Sequence, residues 1–199
     1  FSELTDGVAE LRSHIASEHP DLPVVLIGHS MGGLIAARAV LDASADYQAL
    51  ILTGPLLGVP TPPPTWQTWL LRTLSALFPA AKALSIDASA VSRDQAVVDN
   101  YVADPLVYHE NIPARTVVSL FDEASAVLGR ASEISLPTLL LHGEEDELTS
   151  VPASRQFMAD LSSTDKHITV YPGMYHELFN EPEKEDIIGT CLDWIAARL

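Results

Sequence analysis

Pro23-Val24-Val25-Leu26-Ile27-Gly28-His29-Ser30-Met31-Gly32-Gly33 is an apolar run that closes in a Gly-x-Ser-x-Gly turn. Residues 23–27 are continuously apolar, as expected of a short strand buried on both faces of a parallel sheet. Residues 28–33 read as a turn, and small and apolar residues from Met31 to about Ala43 read as a helix. A serine at such a strand–turn–helix corner takes a strained backbone conformation that lifts its hydroxyl clear of the sheet. Glycines at 28 and 32 are expected to remove side chains that would collide. The N-terminus of the following helix favours negative charge, so the N–H of Met31 is the expected donor to a developing oxyanion. Ser30 is thus the candidate nucleophile. The bare Gly-x-Ser-x-Gly string also arises by chance; its position between strand and helix makes the reading specific.

Outward from this corner, three more apolar runs read as strands: 49–53, 138–142 and 168–171. Amphipathic spacing predicts helices over 1–19, about 151–161 and about 182–198. Strands alternating with helices indicate an α/β fold with a doubly wound, mainly parallel sheet. Residues 55–130 break the rhythm. Proline is dense from Pro55 to Pro64, and Trp66, Trp69, Leu70, Leu74, Leu77 and Phe78 then recur at helical spacing. This segment is expected to form a helical cap, with 1–54 and 131–199 as the core. An apolar stripe of this kind also fits an ordinary pair of core helices.

A serine hydroxyl needs a base to take its proton, and the base needs an orienting carboxylate. In chain order the acid follows a later strand and the histidine the last one. After the strand at 138–142, Gly143-Glu144-Glu145-Asp146-Glu147 offers four acids. Any one of them fits a solvated loop; Asp146 is preferred for its place in the turn. After the strand at 168–171, Pro172-Gly173-Met174-Tyr175-His176 places a histidine where the base belongs. His14 and His19 precede the serine, His29 adjoins it, and His109 and His167 read as cap or surface residues. His142 closes a strand and reads as packed or hydrogen-bonded. Ser30, Asp146 and His176 together need no metal or other cofactor, and no metal-ligand spacing is present.

Acidic residues outnumber basic ones 27 to 11, for a formal net charge of −16. That field repels nucleic acid and anionic headgroups, so any lipid contact must rest on apolar surface. At 47% hydrophobic and 19% charged residues the chain reads as soluble and globular, with no apolar run of the ~18 residues a membrane helix needs. No targeting segment is visible, which leaves localisation open between the cytoplasm and a membrane surface. The single cysteine, Cys191, reads as a buried core thiol.

Gly28-His29-Ser30-Met31-Gly32-Gly33, Leu141-His142-Gly143 through Asp146, and Tyr171-Pro172-Gly173 through His176-Glu177 together resemble the monoacylglycerol lipase family of α/β-hydrolases. So do Ser92-Arg93-Asp94 and Tyr101-Val102-Ala103-Asp104-Pro105-Leu106-Val107, which look like that family's cap motif. The tail from His176 to Pro182 is similar to bacterial members. The resemblance implies a monoacylglycerol or similar lipid ester as substrate, its acyl chain held beneath an apolar cap. Leu56 and Trp69 are then expected near the acyl chain. Tyr101 fits either the glycerol end or the packing of the cap. The cap also implies peripheral membrane contact.

Only one helix and one strand precede Ser30, where the family carries several strands and a His-Gly motif whose loop gives a second oxyanion donor. The expected partner of these 199 residues is therefore a missing N-terminal portion of the same protein. A broader carboxylesterase, a lysophospholipase and a serine aminopeptidase remain alternatives. A non-catalytic binding protein of the same fold is a further one, against which the complete Ser, Asp and His set argues.

Overall fold

A computed structural model describes residues 1–199. Four parallel strands form the central sheet: β1 (Val25–His29), β2 (Ala49–Thr53), β5 (Thr138–Gly143) and β6 (Lys166–Tyr171), in the order β1-β2-β5-β6. Register is continuous from Val25 opposite Ala49 through Gly143 opposite Tyr171. The α/β class expected from the alternating pattern is the one observed. β2 and β5 are buried along their whole length, as fits strands with a neighbour on each side and apolar cover on each face.

Helices cover both faces. On one face α2 (Met31–Ala43), α5 (Ala114–Gly129) and α6 (Val151–Asp160) build a core around Leu34, Val40, Leu50, Leu52, Leu140 and Phe157. On the other, α7 (Lys184–Ala196) packs Ile187 and Cys191 against Ile51, Leu139 and Leu141. Cys191 is buried as expected, and burial pushes its thiol up to about 11. The amphipathic helix α1 (Ser2–Glu18) lies on α2 with no fully buried residue.

The first strand differs from its expectation in two ways. It begins two residues later, at Val25, and runs through Gly28 and His29, which pair with Leu52 and Thr53. It is also not buried on both faces, since Ile27 is 51% exposed. β1 is the edge of the sheet and has only β2 beside it. Ile27 shares a face with Val25, and the α7-side cluster reaches β1 only at Val25.

The 55–130 segment holds α3 (Thr65–Leu77), α4 (Gln95–Ala103) and the whole of α5, plus a short antiparallel pair, β3 (Lys82–Leu84) with β4 (Ile112–Pro113). It is therefore not wholly helical. α3 packs against α5, and Arg72 Nη1 donates to Asp122 Oδ2 at 3.1 Å across them. The second half of α5 belongs to the main core, because Ala124 and Val127 pack with Leu34 and Val40. The apolar stripe of α3 does not close over a cavity. Trp69 is 68% exposed, and Trp66, Leu70, Leu77 and Phe78 are each more than half exposed. Helical spacing creates such a stripe, but what the stripe faces is decided by neighbouring elements.

Candidate active site

Ser30 caps the N-terminus of α2 at φ 53°, ψ −122° and is the only non-glycine residue with positive φ. L-residues with a Cβ rarely hold such a backbone, and it persists only where surrounding bonds over-determine it. Here the Ser30 N–H donates to Thr53 O at 3.0 Å. Its carbonyl accepts from Gly33 N–H at 3.0 Å and Leu56 N–H at 2.9 Å. The corner is packed as tightly as the motif implies on one side: a Cβ on Gly28 would stand 2.4 Å from Gly32 O. The expected collision at Gly32 is not found, since nothing lies within 4 Å of that position. The second crowded glycine is Gly33, whose Cβ would meet that of Pro55 at 2.8 Å.

Met31 is the first residue of α2. Its N–H is one of the helix-start donors without an intrahelical acceptor and lies beside Ser30. Leu56 also adjoins the corner, but its N–H is committed to the Ser30 carbonyl and its side chain packs on the core. Trp69 stands apart, on the exposed face of α3, and does not line the open apolar concavity of about 450 Å³ formed by Leu74, Leu77, Phe78 and Pro79 to Ala81. Tyr101 is half-buried with its ring edge-on to His109, centroids 5.9 Å apart. Burial pushes the Tyr101 hydroxyl up, and the charge of Glu177 adds to it.

Asp146 is the one buried acid of the run after β5; Glu144, Glu145 and Glu147 are exposed. Its Oδ1 accepts the N–H groups of Leu148 at 2.8 Å and Thr149 at 2.9 Å. Its Oδ2 lies 2.7 Å from His176 Nδ1, 2.8 Å from Thr149 Oγ1 and 3.1 Å from His142 Nε2. Burial alone would push this carboxyl up. Hydrogen bonds from His142 and His176, the His176 charge and the Thr149 N–H outweigh burial and hold it well below the usual carboxylate range.

His176 is buried, with Nδ1 committed to Asp146, so Nε2 is the nitrogen left for a substrate. The structure joins His176 to Asp146 directly. It does not join Ser30 to His176 by a hydrogen bond; the approach is through His29, whose ring centroid lies 4.7 Å from that of His176. His29 Nδ1 lies 2.9 Å from Thr53 Oγ1 and 3.0 Å from Thr53 O. Burial and the neighbouring His176 lower its pKa to about 4, so its ring is neutral at pH 7.

Gly54 brings the pieces together. It sits at φ +47°, and a Cβ there would stand 3.1 Å from His176 Nδ1 and 3.3 Å from Asp146 Oδ2. Gly143 does the same for the histidine loop, where a Cβ would meet Tyr175 O at 2.1 Å. His142 is packed and hydrogen-bonded, as expected, but its link to Asp146 and the places of Thr149 and Gly54 are not visible in the sequence alone. The one signal available was spacing, since His142 and Thr149 flank Asp146 at four and three residues.

The family described as "Serine aminopeptidase, S33" matches residues 1–183. The chain is 35% identical over 199 residues to a monoacylglycerol lipase of Mycolicibacterium smegmatis, covering all of this chain and 71% of that protein. It is 31% identical over 198 residues to the monoglyceride lipase of Rattus norvegicus, covering 96% of this chain and 65% of that one. The crystal structure of the Paleococcus ferrophilus monoacylglycerol lipase superposes with a TM-score of 0.88 at 26% identity, over all of this chain and 76% of that one.

Proposed function

The chain belongs to the serine aminopeptidase S33 family, within the α/β-hydrolases and beside the monoacylglycerol lipases, and from that premise we propose that it hydrolyses the carboxylic esters of single-chain lipids, foremost monoacylglycerol to glycerol and a fatty acid. Ser30 is the nucleophile in this reading, His176 the base and Asp146 the residue that orients it. The observation that carries the reading is the buried His176–Asp146 pair, 2.7 Å apart, with the His176 ring centroid 4.7 Å from that of His29, the neighbour of a serine held at positive φ.

His176 Nε2 takes the Ser30 proton as Oγ bonds to the ester carbonyl carbon. The carbonyl oxygen becomes an oxyanion facing the Met31 N–H and the start of α2. The tetrahedral intermediate collapses, the carbon–oxygen bond to glycerol breaks, and His176 returns the proton to the leaving alkoxide. Water, deprotonated by His176, then attacks the acyl-Ser30 ester and releases the fatty acid. Asp146 stabilises the imidazolium in both halves. The neutral ring of His29 adds no charge next to it.

Contact with a lipid surface through α3 is part of the proposal, as is a cap built from residues 55–130. Their support is the exposed apolar side chains on α3. No helix is long and apolar enough to cross a membrane. Turnover of monoacylglycerol, lysophospholipid, p-nitrophenyl esters and amino-acid amides tests the substrate class, with monoacylglycerol expected first. Retained monoacylglycerol hydrolysis in Ser30→Ala would overturn the mechanism.

A further inference from the structure

We infer that Arg93 and Glu181 form a latch that positions His176, so that the insertion between β2 and β5 sets the geometry of the base. The inference rests on the proposed role of His176. Its basis is what holds the loop after β6. The Glu181 side chain is fully buried, yet its carboxylate has three donors. Arg93 Nε reaches Oε2 at 2.5 Å, and the N–H groups of Arg93 and Tyr175 each reach Oε1 at 3.2 Å. Two further bonds join the same segments. Glu177 N–H donates to Val91 O at 2.8 Å, and Ser92 Oγ donates to Asn180 O at 3.1 Å.

The pattern converges on one residue. Tyr175 and Glu177 are the immediate neighbours of His176, and both have their backbone N–H tied into this assembly. Asp146 fixes the imidazole through Nδ1, while the latch fixes the backbone from which the ring projects. Arg93 also donates through Nη2 to Glu183. A guanidinium can hold both carboxylates from one planar fork, whereas an ammonium is a single point charge. Arg93 thus acts through Glu181 as a positioning residue. It leaves 91–93 as the anchored part of the insertion, in contrast to the exposed α3.

The test compares Arg93→Met, Arg93→Lys and Glu181→Gln with wild type in the full chain. The readouts are kcat and KM on a soluble monoacylglycerol, the rate of Ser30 labelling by a fluorophosphonate, and thermal melting. Arg93→Met is expected to lower kcat and the labelling rate by about 10²-fold, the scale of a 1 Å misplacement of a reacting group, with KM within about twofold. Arg93→Lys and Glu181→Gln should fall between. Should Arg93→Met fail to fold, Arg93→Lys decides: an intermediate kcat supports the latch and a wild-type kcat overturns it. A folded Arg93→Met that labels at the wild-type rate, or that raises KM alone, overturns it too. His176→Ala separates the two readings. If that variant still labels normally, the role of His176 fails, whatever Arg93 does.

Discussion

His142 and His176 share one oxygen: Oδ2 of Asp146 lies 3.1 Å from Nε2 of the first and 2.7 Å from Nδ1 of the second. His142 is wholly buried, and its Nδ1 lies 3.0 Å from Ser154 Oγ. With the Ser154 hydroxyl donating to Nδ1, the His142 proton sits on Nε2 and is donated to the carboxylate. His142→Leu removes that donor from a buried anion and is expected to cost about 1.5–3 kcal/mol of stability, the range for hydrogen bonds to charged groups. His142→Gln, whose amide can still donate, should recover part of the loss. Urea denaturation at pH 7 checks both, and equal stability of the Leu variant would contradict the shared-oxygen account.

The His29 ring makes stability depend on pH. Its folded pKa of about 4 lies below the unfolded value near 6.5, so the unfolded chain binds more protons between those values. Stability therefore rises with pH across that window and is lost on acidification through it. The difference of roughly 2.5 units corresponds to at most about 3 kcal/mol. Asp146 acts lower. Its folded value is depressed, so its contribution is present above the unfolded value near ~3.9 and declines as pH falls further. His29→Gln, which keeps a donor for Thr53, should flatten the pH 6.5-to-4 part of the curve. Denaturation midpoints at pH 7 and 4.5 measure it.

Gly54→Ala places a methyl group 3.1 Å from His176 Nδ1 on a backbone with φ +47°. Strain of this kind costs about 1–3 kcal/mol, and the displaced imidazole should lower kcat by roughly 10²-fold. Loss of activity without loss of stability would mean the loop yields and only the ring moves. A variant with both unchanged would refute the close approach.

Trp66 and Trp69 present large apolar area to solvent and take no part in the buried core. Trp66→Ser with Trp69→Ser should therefore leave stability within about 0.5 kcal/mol per site. The same change should weaken sedimentation with uncharged phosphatidylcholine vesicles. Anionic vesicles should bind wild type less than uncharged ones, because the chain carries a net charge of −16. Unchanged sedimentation of the double variant would remove α3 from the proposed lipid contact.

The extent to which the fold could be read in advance follows burial. Residues 49–53 and 138–143 are buried throughout around the apolar runs 50–52 and 139–141, so their strands stand out. Gly28 and His29 resemble turn residues but continue the ladder, because pairing with Leu52 and Thr53 is a property of the neighbouring strand. The face of α3 was equally hidden, since a stripe's period says nothing of its surroundings. Chain order and loop position single out Asp146 and His176, which the fold brings within 2.7 Å of each other, and the motif singles out Ser30, which the structure holds at positive φ. Gly54, Thr149 and the contact of His142 with Asp146 are not legible in the sequence, because they arise only where the ends of β2, β5 and β6 meet. Arg93 and Glu181 each lie in a stretch that resembles the family, but they stand 88 residues apart and nothing pairs them until the chain folds.

The positive φ of Ser30 carries a consequence for anyone who evolves this chain for robustness. Glycine is the one residue that adopts that conformation without steric penalty, so Ser30→Gly relieves about 1–3 kcal/mol of backbone strain while deleting the hydroxyl. A screen that rewards heat tolerance or soluble yield, blind to turnover, will enrich molecules that lack the proposed nucleophile at this very codon. Selection for durability here has to be coupled to a chemical readout.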